Sequence, residues 1–397
     1  MSLSKLHIAP QYVVTAVLLA GTLPAEAQKP YYSKSEINWE KVKQPAAALL
    51  YTVYLIGDAG EADFSKPAAL KVLAGHLEKA GQNSMVVFLG DNIYNDGLPE
   101  SSSDERSGAE QKINIQLDIL KAFKGKIVFV PGNHDWDHWR PAGLEGIQRE
   151  ENYIESYLNR GNTFLPDKGC PGPAVTNLTD NLVFIAIDTQ WWLHKWDKVN
   201  VANEVCTAID DDSFIKELDK VLEANKSKQI IVGAHHPIIT NGYHGGRFTI
   251  KDHLFPLTAK YHNLYIPMPI LGSIYPMSRK YFGHIQDVTH PRYRLLIKQL
   301  SGVFSKYDNL IFAAGHDHNL QYFAKEQQHY IVSGSGCKTS HVAKGHQASF
   351  TYARQGFIKL KYYSNREVLL EVWVTNDSID NIGHVAYRKL LEQPTSK

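Results

Sequence analysis

Val86-Val87-Phe88-Leu89-Gly90-Asp91-Asn92-Ile93-Tyr94 is the stretch on which the fold turns. Its four leading apolar residues make a short buried strand, and Gly90 permits a sharp turn at the strand's end. The turn brings Asp91 and, three residues on, Tyr94 to the same rim of a sheet. A carboxylate at that place can bridge two cations with its two oxygens. A phenolate is a hard anionic ligand suited to a trivalent iron. An Asp after Gly is by itself an ordinary turn residue; what gives this one weight is that four other strand ends offer donors in the same way.

Upstream, the apolar run 50–56 ends in Gly57-Asp58-Ala59-Gly60. A helical pattern starts at Pro67 and continues through Leu70, Leu73 and Leu77 to a terminating Gly81. Downstream, Ser107-Gly108-Ala109-Glu110 reads as a capping box for a helix with Ile113, Leu117 and Leu120 on its apolar face. The strand 127–130 then runs into Pro131-Gly132-Asn133-His134-Asp135. Strand, helix, strand, helix, strand is the alternation of a layered α/β sheet.

The alternation continues less regularly. A strand at 182–187 closes on Asp188, and Asp210 to Ser213 can cap a helix carrying Phe214, Leu218 and Leu222. The strand 229–232 ends in Gly233-Ala234-His235-His236-Pro237, and the strand 310–314 ends in Gly315-His316-Asp317-His318. Near the C-terminus, apolar residues alternate from Ile358 to Tyr362 and again from Val368 to Val374, a two-stranded ribbon with one covered face. Residues 247–291 show no clean period. Within them, residues 265–272 are too apolar for a free loop and too Pro-rich for a helix or central strand, so we expect a lid or substrate wall there.

Lys+Arg 42 against Asp+Glu 41 leaves the chain almost neutral, so no nucleic-acid-binding surface is implied and any attraction for an anion must come from a local site. With 21 Tyr and 7 Trp among 397 residues, the core can be large. Lys5 and His7 precede an apolar run at 12–23 and a small-x-small pattern ending at Ala27. These features predict an export signal cleaved after Ala27, with no spanning helix thereafter, since a span needs about 20 apolar residues. An exported chain tolerates disulfides. Of the three Cys, Cys170 and Cys206 sit in loop-like surroundings and form the expected pair, leaving Cys337 over.

In open α/β sheets, ligands bind beyond the carboxyl ends of the strands. Five ends here offer donors: Asp58, Asp91 with Tyr94, Asn133, His235, and His316 with His318. Hard oxygen mixed with imidazole suits iron, manganese or zinc. Two cations about 3.5–4 Å apart can hold a phosphate and acidify a bound water, so that hydroxide attacks phosphorus without a protein nucleophile.

Together these blocks resemble those of the purple acid phosphatases, which belong to the calcineurin-like metallophosphoesterases. The small, tartrate-resistant type is the closest likeness, because the match extends from Gly315 to Tyr322. The resemblance implies a four-layer α/β sandwich, two central mixed β-sheets flanked by helices. It assigns Asp58, Asp91, Tyr94 and His318 to a ferric site. Asp91, Asn133, His235 and His316 would hold a divalent neighbour, iron, zinc or manganese, with Asp91 as the bridge. His134 and His244 are the expected proton donors to the leaving group. His236 is expected behind the ligands, and Asp135 to orient His134 or a ligand imidazole.

The implied organisation is a signal peptide at 1–27, a linker at 28–48, and one domain at 49–390 with an insertion at about 247–291. The implied function is hydrolysis of phosphate monoesters by an exported, periplasmic or secreted, enzyme. A phosphodiesterase or nucleotidase on the same metals is the alternative within enzymes. A non-catalytic surface binding module is the alternative outside them.

Overall fold

The computed structural model describes residues 28–61, 68–198, 206–259, 261, 264–308, 310–376 and 382–391. The expected signal at 1–27 and the expected helix start at Pro67 lie outside them.

Two sheets stack face to face. The first runs β14-β13-β12-β2-β3-β4, with β2 (Leu49–Ile56), β3 (Ser84–Phe88) and β4 (Lys126–Phe129) parallel. Its antiparallel half is the expected ribbon, β12 (Gly356–Tyr363) and β13 (Val368–Val374), extended by β14 (His384–Leu391). The second sheet runs β1-β11-β9-β10-β8-β7-β6-β5. Here β6 (Leu182–Ala186), β7 (Gln229–Gly233), β8 (Leu310–Ala314) and β10 (Gln328–Ser333) are parallel. Antiparallel strands complete it: β1 (Tyr31–Tyr32), β5 (Ala174–Thr179), β9 (Leu320–Lys325) and β11 (Phe350–Tyr352).

Side-chain alternation decides the layers. Val53, Leu55, Met85 and Val87 point into the core between the sheets, where they meet Phe184, Ile231, Ile311 and Ile358. Their neighbours Tyr54, Ile56, Val86 and Phe88 pack with helix residues. These come from α1 (Ala68–Leu77), α2 (Arg106–Asp118) and α3 (Gly143–Leu158). On the second sheet, Val183, Ile230 and Phe312 share a core with α5 (Asp211–Ala224) and α8 (Pro291–Phe304). The short α4 (Thr189–Leu193) begins at Asp188, whose carboxylate caps it. Strands buried on both faces read as unbroken apolar runs, which is why they stand out in the sequence.

Three local expectations change. The helix α2 starts at Arg106, so Ser107 lies in its first turn and no side chain caps it. A capping box is found instead on α5, where Asp210 and Ser213 exchange hydrogen bonds, and another at Thr249 and Asp252. Residues 28–48 are a packed strap: Tyr31 and Tyr32 pair with β11, and buried Glu36 accepts from Tyr387 Oη at 2.8 Å and Lys389 Nζ at 2.8 Å. Residues 247–291 hold two short helices, α6 (Ile250–Leu254) and α7 (Ile274–Tyr281). Cys170 and Cys206 form the disulfide, and Cys337 is a free thiol.

Candidate metal centre

The parallel strands β2, β3, β4, β7 and β8 all end at one rim, so their five following loops converge. Close approach depends on glycine at two places. A Cβ on Gly90, where φ is +88°, would lie 2.5 Å from His235 Nδ1, and one on Gly132 would lie 2.2 Å from the Asp91 nitrogen. The loops are also cross-tied through the carboxylates. The His316 N–H donates to Asp58 Oδ2 at 2.8 Å, and the His134 N–H donates to Asp91 Oδ1 at 3.0 Å.

The seven expected ligands fall into two groups joined by Asp91. On one side, the Tyr94 hydroxyl donates to Asp58 Oδ1 at 2.9 Å, and His318 Nε2 lies 3.2 Å from Tyr94 Oη and 3.4 Å from Asp58 Oδ1. On the other, His235 Nε2 lies 3.1 Å from Asn133 Oδ1, 3.1 Å from His316 Nδ1 and 3.3 Å from Asp91 Oδ1. Asp58, Asp91 and His235 offer donor atoms all within 4.8 Å of one another. Every member except His318 is buried.

The chemistry of this set fits cations. His235 Nδ1–H donates to the Leu89 carbonyl at 2.8 Å, and His316 Nε2–H donates to the Gln286 carbonyl at 2.9 Å. Each ring therefore turns a lone pair inward, on Nε2 and Nδ1, and those two atoms face each other beside two oxygen acceptors. Such a cluster draws positive charge. Burial opposes protonation of His235, but the Asp91 carboxylate outweighs it and pushes the imidazole up to about 9. Burial likewise opposes ionisation of Asp91, yet His235 and His134 hold it well below the usual carboxylate range. Burial and then the Asp58 charge keep the Tyr94 phenol well above its ordinary value. His316 is held neutral by burial and by its neighbours His244, His236 and His235.

The two expected proton donors flank the cluster. His134 Nδ1–H donates to the Asn95 carbonyl, leaving Nε2 3.9 Å from Asp91 Oδ2. His244 packs its ring 3.9 Å from that of His316 and shares its Nδ1–H between the Gln286 carbonyl and Asp287 Oδ1, each at 3.0 Å. Both line a recess of about 150 Å³ with Asp91, Asn133, His316 and His318. A cleft of about 1410 Å³ adjoins it along His244, Arg279, His316 and His318.

His236, expected behind the ligands, is buried, and it offers a ring nitrogen within 4.8 Å of donor atoms of His235 and His316. Its Nδ1 meets Thr189 Oγ1 at 2.9 Å and its Nε2 meets Gln286 Oε1 at 2.6 Å, so both nitrogens are engaged. Asp135 differs from expectation. It accepts from the backbone N–H groups of Asn92, Ile93 and Gly132, so it braces the turn that carries Asp91 and touches no imidazole. Burial and the Asp91 charge push its carboxyl up to about 7.

The expected wall at residues 265–272 is also displaced. Ile270 and Leu271 stand exposed, and within residues 247–291 those that reach the recess are Arg279, His284 and Gln286. Arg279 forks onto buried Asp287, which in turn holds His244. Nothing in the sequence marks Arg279, Gln286 and Asp287, because no motif or period surrounds them.

Comparison with known proteins agrees with this architecture. Residues 51–265 match the model of the calcineurin-like phosphoesterase family. Purple acid phosphatase 17 of Arabidopsis thaliana is 20% identical over 342 residues, covering 82% of this chain and 84% of that protein. Two solved structures share the fold. One is GAP50, the anchor in the inner membrane complex of Plasmodium, at TM-score 0.54 and 18% identity over 88% of this chain and 91% of that one. The other is PhoD, at TM-score 0.52 and 10% identity over 88% of this chain and 73% of that one. The family match takes in more than half of the chain and four of the five converging loops, from Asp58 to His235, which makes this protein a member of the calcineurin-like phosphoesterases.

Proposed function

We propose that this chain hydrolyses phosphate monoesters at a pair of metal ions. The observation that carries the reading is the division of seven buried or half-buried donors into two groups that meet at Asp91. Asp58, Tyr94 and His318 would hold a ferric ion, and Asn133, His235 and His316 a divalent iron, zinc or manganese ion, with Asp91 shared. Such a pair supplies a water acidified to near-neutral pH and a positive seat for the phosphate.

The remaining steps belong to the protein. The recess of about 150 Å³ takes the phosphoryl group. The backbone carbonyls of Leu89 and Gln286 fix the rings of His235 and His316, so the donors need no rearrangement as charge develops. His134 and His244, anchored through Nδ1, would in the imidazolium form turn Nε2–H toward the departing oxygen and give it that proton, returning to the neutral ring. The leaving group lies in the larger cleft.

Tyr94 supports the purple subgroup, since it touches Asp58 and His318 and none of the residues on the other side. The Cys170–Cys206 disulfide supports export to an oxidising compartment, the periplasm or the exterior. Among the described residues no helix is long and apolar enough to cross a membrane.

The size of the adjoining cleft favours a second reading, a phosphodiesterase or nucleotidase. Turnover of an aryl phosphate monoester and of the matching aryl alkyl diester by the metal-loaded protein separates the two. A kcat/KM at least about ten-fold higher for the monoester is expected. The reverse preference would overturn the monoester reading and leave the metal centre intact.

A further inference from the structure

Twenty large apolar side chains stand exposed among the described residues, and thirteen of them fall between Ile250 and Phe282. Monomeric soluble proteins seldom gather apolar surface in this way without a partner for it. The thirteen belong to one outcrop. Met268 N–H donates to the Leu254 carbonyl at 2.8 Å, and His253 Nδ1 meets Ser273 Oγ at 3.0 Å. A Cβ on Gly272 would lie 2.3 Å from the His253 carbonyl, so α6 and the entry to α7 are in close contact. At the tip, Ile270 is 86% exposed and Phe282 77%. Between them Ile274, Met277 and Tyr281, spaced i, i+3 and i+7, turn one side of α7 outward.

Charge identifies what covers this face. From His253 to Gln286 the sequence contains no Asp or Glu, whereas it contains Lys260, Arg279 and Lys280. Lys280 is exposed beside Tyr281, and Lys251 is exposed at the start of α6. The flanking carboxylates are engaged: Asp287 is buried against Arg279, and Asp252 accepts from the N–H and hydroxyl of Thr249, the N-cap of α6. Protruding aliphatic residues, Tyr at the margin and a cationic rim without acids are the makeup of a segment that seats in the interface of an anionic bilayer. A two-fold contact with a second copy would set the same cationic stretch against itself.

We propose that the outcrop from Ile250 to Phe282 docks this protein on an anionic lipid surface, with Ile270, Ile274 and Phe282 entering the interface and Lys251 and Lys280 meeting the headgroups. Docking sets the mouth of the large cleft beside the bilayer, because Phe248, Lys251 and Tyr275 line it. The inference does not rest on the phosphatase reading.

Cosedimentation of the full chain with vesicles tests it. Vesicles of phosphatidylcholine and phosphatidylglycerol in equal parts are expected to retain the protein, and phosphatidylcholine alone to retain much less. The double variant Ile270→Glu with Phe282→Glu is expected to bind the anionic vesicles about ten-fold or more weakly. Its melting temperature and its turnover of a soluble aryl phosphate are expected to stay unchanged. Lys280→Glu is expected to weaken binding in a salt-dependent manner. The proposal fails if the wild type ignores anionic vesicles. It also fails if the double variant binds as well as the wild type. A wild-type dimer in ultracentrifugation that the double variant dissociates would assign the face to a second copy instead.

Discussion

Asp58, Asp91 and His316 all hold positive backbone φ, at 57°, 53° and 71°. Each such conformation costs a non-glycine residue about 1–3 kcal/mol, and it persists where the surroundings over-determine it. All three belong to the proposed donor set, so the chain gives up stability where that set is aimed. Tyr94 is the residue that tells the purple reading from a generic one. Its ring is buried and a Phe fills the same volume, so Tyr94→Phe should fold. In iron-loaded, oxidised protein the phenolate is expected to give a visible charge-transfer band that Tyr94→Phe removes, read by absorption and iron assay on one sample. An unchanged band in the iron-containing variant would take Tyr94 out of the ligand set. The proposed ligands were legible because each follows a short apolar run that reads as a strand. Gln286 and Asp287 were not, since their roles come from a loop that returns to His316 across 30 residues of chain and to His244 across 43.

Elements showed the same division. Strands buried on both faces were readable from runs, and α5 from its cap, because burial and capping leave local marks. The two-residue β1 and the packed strap at 28–48 have no period to read; pairing with β11 and the Glu36 contacts create them. A similar buried carboxylate ties the C-terminal strands. Glu371 on β13 is 1% exposed, with Lys361 Nζ of β12 at 3.0 Å and Arg388 Nη2 of β14 at 2.9 Å. Burial opposes its ionisation, but these cations hold its carboxyl below the ordinary value. Glu371→Gln leaves both cations without a counter-charge and is expected to cost about 3 kcal/mol, measured as a shift in the urea midpoint. A loss below about 0.5 kcal/mol would place the pairs in the class of screened surface bridges.

Across the whole molecule, two sheets bring their parallel strand ends to one rim, and the proposed centre draws on both. Asp58, Asp91 and Asn133 follow strands of the first sheet, and His235, His316 and His318 follow strands of the second. Binding of a cation between the two groups is therefore linked to the packing of the sheets, and metal removal should lower thermal stability as well as rate. The most direct measurement is elemental analysis of the purified protein combined with aryl phosphate turnover before and after chelation, with Asp91→Asn run beside it. Two metal ions per chain, turnover lost on chelation and restored by metal, and under-occupancy in Asp91→Asn are the expected results. Full turnover by metal-free protein, or two tightly held ions in an active Asp91→Asn, would contradict a centre bridged by Asp91.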